Sequence, residues 1–169
     1  MHQLRDAVLA NDAEKILARC SSKTRALLTE MLKLARAQST AFRQSYPPEF
    51  ALGARGVYPP GLLTAQSELA LFTALIQSRA NALNRSDGLR YGLSASGHPV
   101  ILGGTATVAT KAGESIEFVQ EGGAWFTKVF EPVLARNLER FQLNQRTLEE
   151  NLKAIAISKA KGSKAASKY

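Results

Sequence analysis

The hydrophobic period changes twice along this chain, and this change restricts the possible folds more than any other sequence feature. Apolar residues recur every three or four positions up to about residue 84, alternate with polar residues between about 89 and 130, and return to helical spacing over 132–157. Spacing of three and four is typical of helices with one buried stripe, whereas alternation is typical of half-buried strands. We therefore predict an α+β fold: three N-terminal helices, an antiparallel sheet of three to four strands and a long C-terminal helix.

Three helices are predicted before the sheet, over 3–19, 23–44 and 62–84. Asn11 and Asp12 weaken the middle of the first helix, because both residues favour turns over helix interiors. Ser21 or Ser22 is the expected N-cap of the second helix. After the third helix, a run of turn residues at 84–88 marks the change to strands.

A proline-rich connection separates the second and third helices. The triplet Tyr46-Pro47-Pro48 returns as Tyr58-Pro59-Pro60, and each proline fixes its own φ and lacks an N–H. We interpret this segment as a stiff loop packed by its own tyrosines. Docking of a Pro-Pro segment into an aromatic groove of another protein is the alternative.

The sheet is expected to be a meander, with turns at glycine pairs and short loops. Gly122-Gly123 is a strong hairpin signal between two alternating segments. Trp125 and Phe126 follow this turn, and neighbouring residues of a strand face opposite sides of the sheet. One of the two is therefore expected in the core and the other on a helix or an interface. The predicted strands are 89–96, 105–110, 115–121 and 124–130, with a turn at 97–99 and the short apolar stretch 100–102 before Gly103-Gly104.

The C-terminal helix carries a heptad seam, which is a line of mostly apolar residues spaced four, three, four, three. Such a stripe packs either against the rest of its own domain or against a helix of another molecule, and both readings stay open. With Trp125 on the last strand, these residues are the interface candidates. The members of the heptad seam are Leu134, Leu138, Phe141, Gln145, Leu148, Leu152 and Ile155.

The net charge of +8 is unevenly distributed. Residues 151–169 contain five lysines and no acid, so the preceding body is nearly balanced. With few apolar residues, 158–169 is predicted to be a disordered Lys-rich tail. A solubilising terminus is the simplest interpretation. The alternative is weak, non-specific contact with nucleic acid or another acidic surface, through Lys159, Lys161, Lys164 and Lys168.

Two segments resemble NTF2-like (cystatin-like) domains, and most of all small bacterial members of unassigned function. The segment AVLANDAEKILARCSSKTRALL resembles the opening helices of such domains, and GGTATVATKAGESIEFVQEGGAWFTK resembles their closing hairpin. The resemblance implies a curved sheet wrapped by helices around a cone-shaped cavity, over a domain at 1–131. Such cavities serve isomerases, dehydratases, small-molecule binders and interaction modules, so the fold alone does not select a function. The helix at 132–157 departs from the pattern and favours a partner.

The chain offers little catalytic chemistry. His2 is terminal, His98 lies in a turn, and Cys20 has no local base and is expected to be a small buried side chain. One cysteine excludes an intrachain disulfide and a cysteine zinc cluster, and no motif indicates another metal or a cofactor. We therefore predict no catalytic or metal-binding residue. If the domain keeps a pocket, its candidate polar residues are Tyr58, Tyr91, His98 and Glu117.

These features favour a non-enzymatic interaction or assembly module that associates, as a homo-oligomer or with a protein partner, through the sheet face and the C-terminal helix. The alternative is a binder of an apolar small molecule, or an isomerase-like or dehydratase-like enzyme with a cone pocket. Nucleic-acid contact through the tail is a weaker alternative. No apolar run reaches the roughly 18 residues of a membrane span. The N-terminus has no signal-peptide pattern, so the expected compartment is the cytoplasm, or the periplasm or exterior if a leader has been removed.

Overall fold

The computed structural model describes residues 1–47, 56, 58, 60–83 and 93–166, and for 77–83 and 159–166 it describes the backbone alone. Helices from the two ends of the chain pack against one face of a four-stranded sheet, which confirms the predicted α+β class. None of the described helices is both long and apolar enough to span a membrane. The elements are α1 (His2–Leu9), α2 (Ala13–Ala18), α3 (Ser22–Gln44), α4 (Glu68–Leu83), β1 (Val100–Leu102), β2 (Thr105–Ala109), β3 (Ser115–Glu121), β4 (Ala124–Thr127) and α5 (Glu131–Ala166).

The first predicted helix is two helices. Asn11 has a φ of 51°, which lies in the left-handed region and ends helical geometry after α1. The carboxylate of Asp12 then accepts a hydrogen bond of 3.0 Å from the backbone N–H of Lys15 and caps α2. The prediction of one helix over 3–19 is therefore wrong, and the two residues that weakened it are the ones that break it.

The next two helices begin at serine caps. Ser21 accepts from the backbone N–H of Thr24 at 3.1 Å, which confirms a cap at the start of α3. Ser67 accepts from the N–H of Ala70, also at 3.1 Å, so α4 begins at Glu68 and not at residue 62. The residues from 61 to 67 form turns instead, although Leu62 is buried in the core.

The sheet is an antiparallel meander in the order β1-β2-β3-β4. Gly122 and Gly123 have φ values of 57° and 81°, which is the geometry that a two-residue hairpin turn needs, so this predicted hairpin is confirmed. The last strand ends at Thr127, earlier than the predicted end at residue 130. Of the predicted strand at 89–96, residues 89–92 lie outside the described part, and Ala95 forms only an isolated bridge with Thr110.

One face of the sheet packs into the domain core. Ala106 and Val108 of β2 and Ile116 and Phe118 of β3 are buried, and they join the cluster built by the helices. Their neighbours along each strand point to the opposite side. The segment before α3 closes the free edge of β4: the N–H of Thr127 donates to the carbonyl of Arg19 at 2.7 Å, and the N–H of Ser21 donates to the carbonyl of Thr127 at 3.0 Å.

The C-terminal helix α5 runs parallel to α3. Ser21 contacts Glu131 at the start of both helices, and Tyr46 contacts Asn151 just after α3 ends. Beyond Asn151 the helix continues past α3 for roughly 20 Å, at about 1.5 Å per residue. Its backbone is helical to Ala166, so it covers most of the segment for which the sequence predicts disorder. Alanine and lysine, which dominate this segment, are among the strongest helix formers.

The heptad seam faces α3 and the core. Leu134, Phe141 and Leu148 are 2–4% exposed, and Leu138, Gln145, Leu152 and Ile155 are half-buried. The three buried side chains are therefore not available to another molecule while the domain is folded. Of the two interpretations of the seam, packing within the domain is the one that these residues show.

Candidate functional site

Of the four predicted pocket residues, the three that the structure describes do not form one site. Tyr58 is half-buried beside α5, whereas His98 is exposed in its turn and Glu117 is exposed on β3. Tyr91 lies outside the described residues. Because Glu117 and Phe118 are neighbours and Phe118 points into the core, Glu117 must point outward.

A mainly apolar row, with Thr105 as its one polar member, crosses the sheet on the side away from the core. The register pairs Leu102 with Thr105, Thr105 with Val119, and Val119 with Phe126, so four strands contribute one side chain each. We call this side the outer face. Its side chains are exposed or half-buried, so no described element covers it.

Strand β1 makes the outer face unusually apolar. Val100, Ile101 and Leu102 are 63%, 59% and 76% exposed. Val100 and Leu102 point to the outer face, since they pair with Thr107 and Thr105. Single exposed aliphatic residues need no explanation, but a contiguous apolar patch marks an interaction site or an aggregation hazard.

The edge of β1 is poorly suited to strand pairing. The strand has only three residues, and Pro99 directly before it lacks an N–H. Short edge strands and prolines are devices that prevent edge-to-edge association. The edge of β4 is covered by residues 19–21, as described above. The face of the sheet, rather than its edges, is therefore the surface open to a partner.

One ion pair lies beside the apolar row. Lys128 Nζ donates to Glu117 Oε2 at 2.6 Å, and the Lys128 N–H donates to the Glu117 carbonyl at 2.9 Å. The hydrogen bond from Lys128 lowers the pKa of Glu117, and the same bond raises the pKa of Lys128. The pair is internally neutral and adds no net charge to the outer face.

The two aromatic residues of β4 divide as their alternation requires, but neither is fully buried. Trp125 pairs with Gln120 on the core side of the sheet, and its side chain is 36% exposed. Phe126 is half-buried on the outer face. Trp125 therefore points to the core side, but the prediction that one of the two side chains is buried in the core is wrong.

A separate pocket of about 480 Å³ lies between α4, the start of α5 and the segment around Tyr58. Its volume falls in the range of small-molecule sites, roughly 300–1,000 Å³. The apolar part of the lining consists of Leu62, Phe72, Leu75, Ile76, Phe130, Val133, Leu134, Phe141 and Leu143.

Four polar side chains also line this pocket, and three come from one helix. Asn137, Arg140 and Asn144 are spaced three and four along α5, so they share one face of the helix. Tyr58 is the fourth. Burial raises the pKa of Tyr58, and a hydrogen bond with Asn144 acts in the opposite direction.

Aromatic contacts hold Tyr58 in place. Its ring lies 6.2 Å from that of Phe42 and 5.7 Å from that of Phe141, measured between centroids. Tyr46 contacts Phe42 at 5.4 Å. The two tyrosines of the repeated triplets thus pack on the same core residue, while most of the predicted stiff loop between them lies outside the described residues.

A buried polar junction joins the first turns of α3 and α5. Ser21 Oγ donates to Glu131 Oε1 at 2.6 Å, and Lys23 Nζ lies 3.5 Å from Glu131 Oε2. Cys20 is fully buried beside it, and burial raises the pKa of the thiol to about 12. A thiol with this pKa is not a nucleophile near neutral pH, so the cysteine is structural, as predicted.

Within the described part of the chain, no three His, Cys, Asp or Glu side chains are grouped to hold a metal ion. The arrangement therefore offers two surfaces and no acid–base constellation: the outer face, suited to a flat apolar partner, and the pocket, suited to a small molecule with a polar end.

Two of the residues that matter most at these surfaces are not predicted from the sequence. Leu102 precedes a glycine turn and lies on β1, which is not among the predicted strands, and nothing in its pattern shows which face of the sheet lacks a helix. Arg140 stands among several arginines of α5, and the spacing of Asn137, Arg140 and Asn144 was the available signal. These three form a polar face of the helix that resembles any solvated helix face.

No protein-family model matches this chain, and no curated protein or solved structure matches it either. The resemblance to NTF2-like domains stays a prediction from the two quoted segments.

Proposed function

We propose that this protein is a non-enzymatic assembly module, and that two copies associate through the outer face of the sheet. The observation that carries the proposal is the apolar row from Leu102 to Phe126, which every strand shares and no described element covers. An NTF2-like scaffold, as the sequence resemblance implies, is compatible with such a role.

A second copy suits this surface because the middle of the outer face is largely apolar, and the one charged side chain of its strands besides Glu117, Glu121 at the end of β3, is bonded to Ser22. A two-fold interface brings the same patch together from both molecules, so the patch must be complementary to itself. The Glu117–Lys128 pair satisfies its charges internally. Much of the net charge of +8 comes from the lysines of 151–169 rather than from the sheet. Two sheets would pack face to face about 10 Å apart.

The size of the sheet limits the expected affinity. Four strands about 4.8 Å apart and up to seven residues long give a face of roughly 400 Å². A standard interface buries about 800 Å² per partner. The sheet alone therefore supports a weak dimer, and exposed side chains of the C-terminal helix, such as Ile157, would have to add area for a tight one.

The test is the solution mass, measured by light scattering and sedimentation from about 5 to 500 µM, a range that covers weak interfaces of this size. We expect a concentration-dependent dimer that strengthens with salt, because salt screens the repulsion between two basic molecules. Leu102→Glu should give a monomer at every concentration. Leu9→Glu is the matched control, since Leu9 is a partly exposed leucine at the end of α1, away from the sheet.

Three results would reject this proposal. One is a wild-type monomer over the whole concentration range. Another is a Leu102→Glu variant that is folded and has the same dissociation constant as the wild type. The third is an equal weakening of the dimer by Leu9→Glu and Leu102→Glu, which would show that the outer face is not the specific contact.

A further inference from the structure

We propose that the pocket between α4 and α5 binds an amphipathic monocarboxylate, with an apolar chain of about a dozen carbon atoms inside and its carboxylate on Arg140. This inference is independent of the assembly proposed above, because the outer face contributes no residue to the pocket.

The apolar lining determines the body of the ligand. The pocket floor includes the buried side chains Leu62, Phe72, Leu134 and Phe141, which offer no hydrogen-bonding group. A volume of about 480 Å³ equals that of roughly 16 liquid waters at ~30 Å³ each. If each non-hydrogen atom of a ligand occupies about one water volume, the pocket holds a ligand of roughly 16 non-hydrogen atoms or slightly fewer.

Arg140 determines the charge of the ligand. It is exposed at the rim and forms no ion pair with any described residue. A guanidinium matches a carboxylate with two parallel hydrogen bonds, which is a stronger and more directional contact than a neutral one.

The polar neighbours of Arg140 favour the same head group. Asn137 and Asn144 flank Arg140 on the same helix face, and Tyr58 lies against Asn144. Amide N–H groups and a phenol O–H can all donate to carboxylate oxygens. No acidic side chain lines the pocket, so nothing among its described residues competes for Arg140 or favours a cationic ligand.

The test is titration calorimetry of the wild-type protein with dodecanoate, kept below its micelle concentration. Dodecanol and dodecyltrimethylammonium are the matched ligands with the same chain. We expect one saturable dodecanoate site per chain. Dodecanol should bind at least about tenfold more weakly, the loss expected for a hydrogen bond to a charged group, and the cationic ligand should give no saturable binding.

Variants locate the site. Arg140→Gln should weaken dodecanoate binding at least about tenfold. Arg136→Gln removes the same charge one turn earlier on α5, from an exposed arginine outside the pocket, and should change the affinity less than about twofold because exposed charges act weakly at a distance. Val133→Trp fills the pocket from its half-buried wall and should abolish binding. Circular dichroism establishes that each variant is folded.

Three results would overturn the inference. The first is the absence of saturable dodecanoate binding to the wild type. The second is an equal loss of affinity in Arg136→Gln and Arg140→Gln, which would show general attraction of an anion to a basic protein. The third is undiminished binding by a folded Val133→Trp variant, which would place the ligand elsewhere. A monomeric wild type would leave all three readouts unchanged, so the two proposals fail separately.

Discussion

The α3–α5 interface and the outer face of the sheet both contain many apolar residues, but the first excludes water and the second is largely exposed to it. The interface buries Leu134, Phe141 and Leu148 almost completely. The outer face leaves Val100 and Leu102 more than 60% exposed. Each buried aliphatic side chain contributes roughly 1.5–3 kcal/mol to folding, whereas an exposed one contributes little.

This difference separates residues that stabilise the domain from residues that are free to contact a partner. The spacing of the heptad seam is compatible with packing inside the domain and with an interface, and its most buried members stabilise the monomer. The exposed strand β1 showed no comparable pattern. Substitutions in the α3–α5 interface should therefore lower the stability of the domain. Substitutions on the outer face should weaken association and leave that stability nearly unchanged.

The largest effect is expected from Phe141→Ala in the α3–α5 interface. Phe141 is 4% exposed and contacts Tyr58, so its truncation leaves a cavity and should lower the free energy of unfolding by about 4 kcal/mol. Urea denaturation followed by circular dichroism measures the loss. Phe126→Ala is the matched aromatic control on the outer face, where we expect a much smaller loss. Equal losses at the two positions would contradict the contrast between the regions.

A smaller effect is expected at the polar junction that holds α3 and α5 together. Glu131→Ala removes the acceptor of the Ser21 hydroxyl, a buried hydrogen bond to a carboxylate, and should cost about 2 kcal/mol of unfolding free energy. Glu131→Gln keeps an acceptor oxygen and should cost less. Glu139→Ala, on the exposed side of the same helix, is the control and should be nearly neutral. If Glu139→Ala costs as much, the loss reflects helix α5 in general and not the junction.

Leu102→Ser should change the stability of the monomer by less than about 0.5 kcal/mol, because its side chain is mostly in water. In dilute solution, its urea midpoint should therefore match that of the wild type. At high concentration the wild type should gain stability from dimerisation, since only folded chains associate, and the variant should not. A wild-type midpoint that does not depend on concentration would argue against association through this face.

The sequence predicted most of the elements because local signals and tertiary packing agree there. Gly122-Gly123, the caps of α3 and the period of β3 each specify one local geometry, and the structure has that geometry. The predicted helix boundaries are wrong where a single residue sets them. Asn11 breaks a helix that its apolar neighbours would continue, and Ser67 caps α4 after a Leu-rich turn that has helical spacing.

The location of the sites was less predictable, because it depends on which surfaces the rest of the chain covers. The spacing of Leu134, Phe141 and Leu148 shows that one face of α5 is buried, but not by what. The outward direction of Glu117 depends on strand register, which a slip of one residue reverses. Arg140 becomes notable only once α4 and Tyr58 are placed beside it.

A similarly small effect on stability, and a specific one on association, is expected from the Glu117–Lys128 pair. Exposed pairs of this kind contribute about 0.2–1 kcal/mol, and Glu117 is 60% exposed. The pKa of Glu117 is lowered in the folded state. The contribution is therefore present above the ordinary glutamate pKa of about 4.3 and is lost as the pH falls through the lowered value. The monomer should show this only as a minor change in its urea midpoint.

In a dimer, protonation of Glu117 would have a larger effect than in the monomer. Once Glu117 is protonated, Lys128 is an unpaired cation on a face that meets its own copy, and like charges at an interface oppose association. The dimer should therefore weaken as the pH falls through the lowered pKa, and Glu117→Gln should weaken it at neutral pH as well. Sedimentation at pH 7 and below the pKa measures both. Glu114→Gln, in the exposed turn before β3, is the control. If the Glu117→Gln dimer is as stable as that of Glu114→Gln, the ion pair is outside the contact, and the interface must lie nearer the β1 side of the outer face.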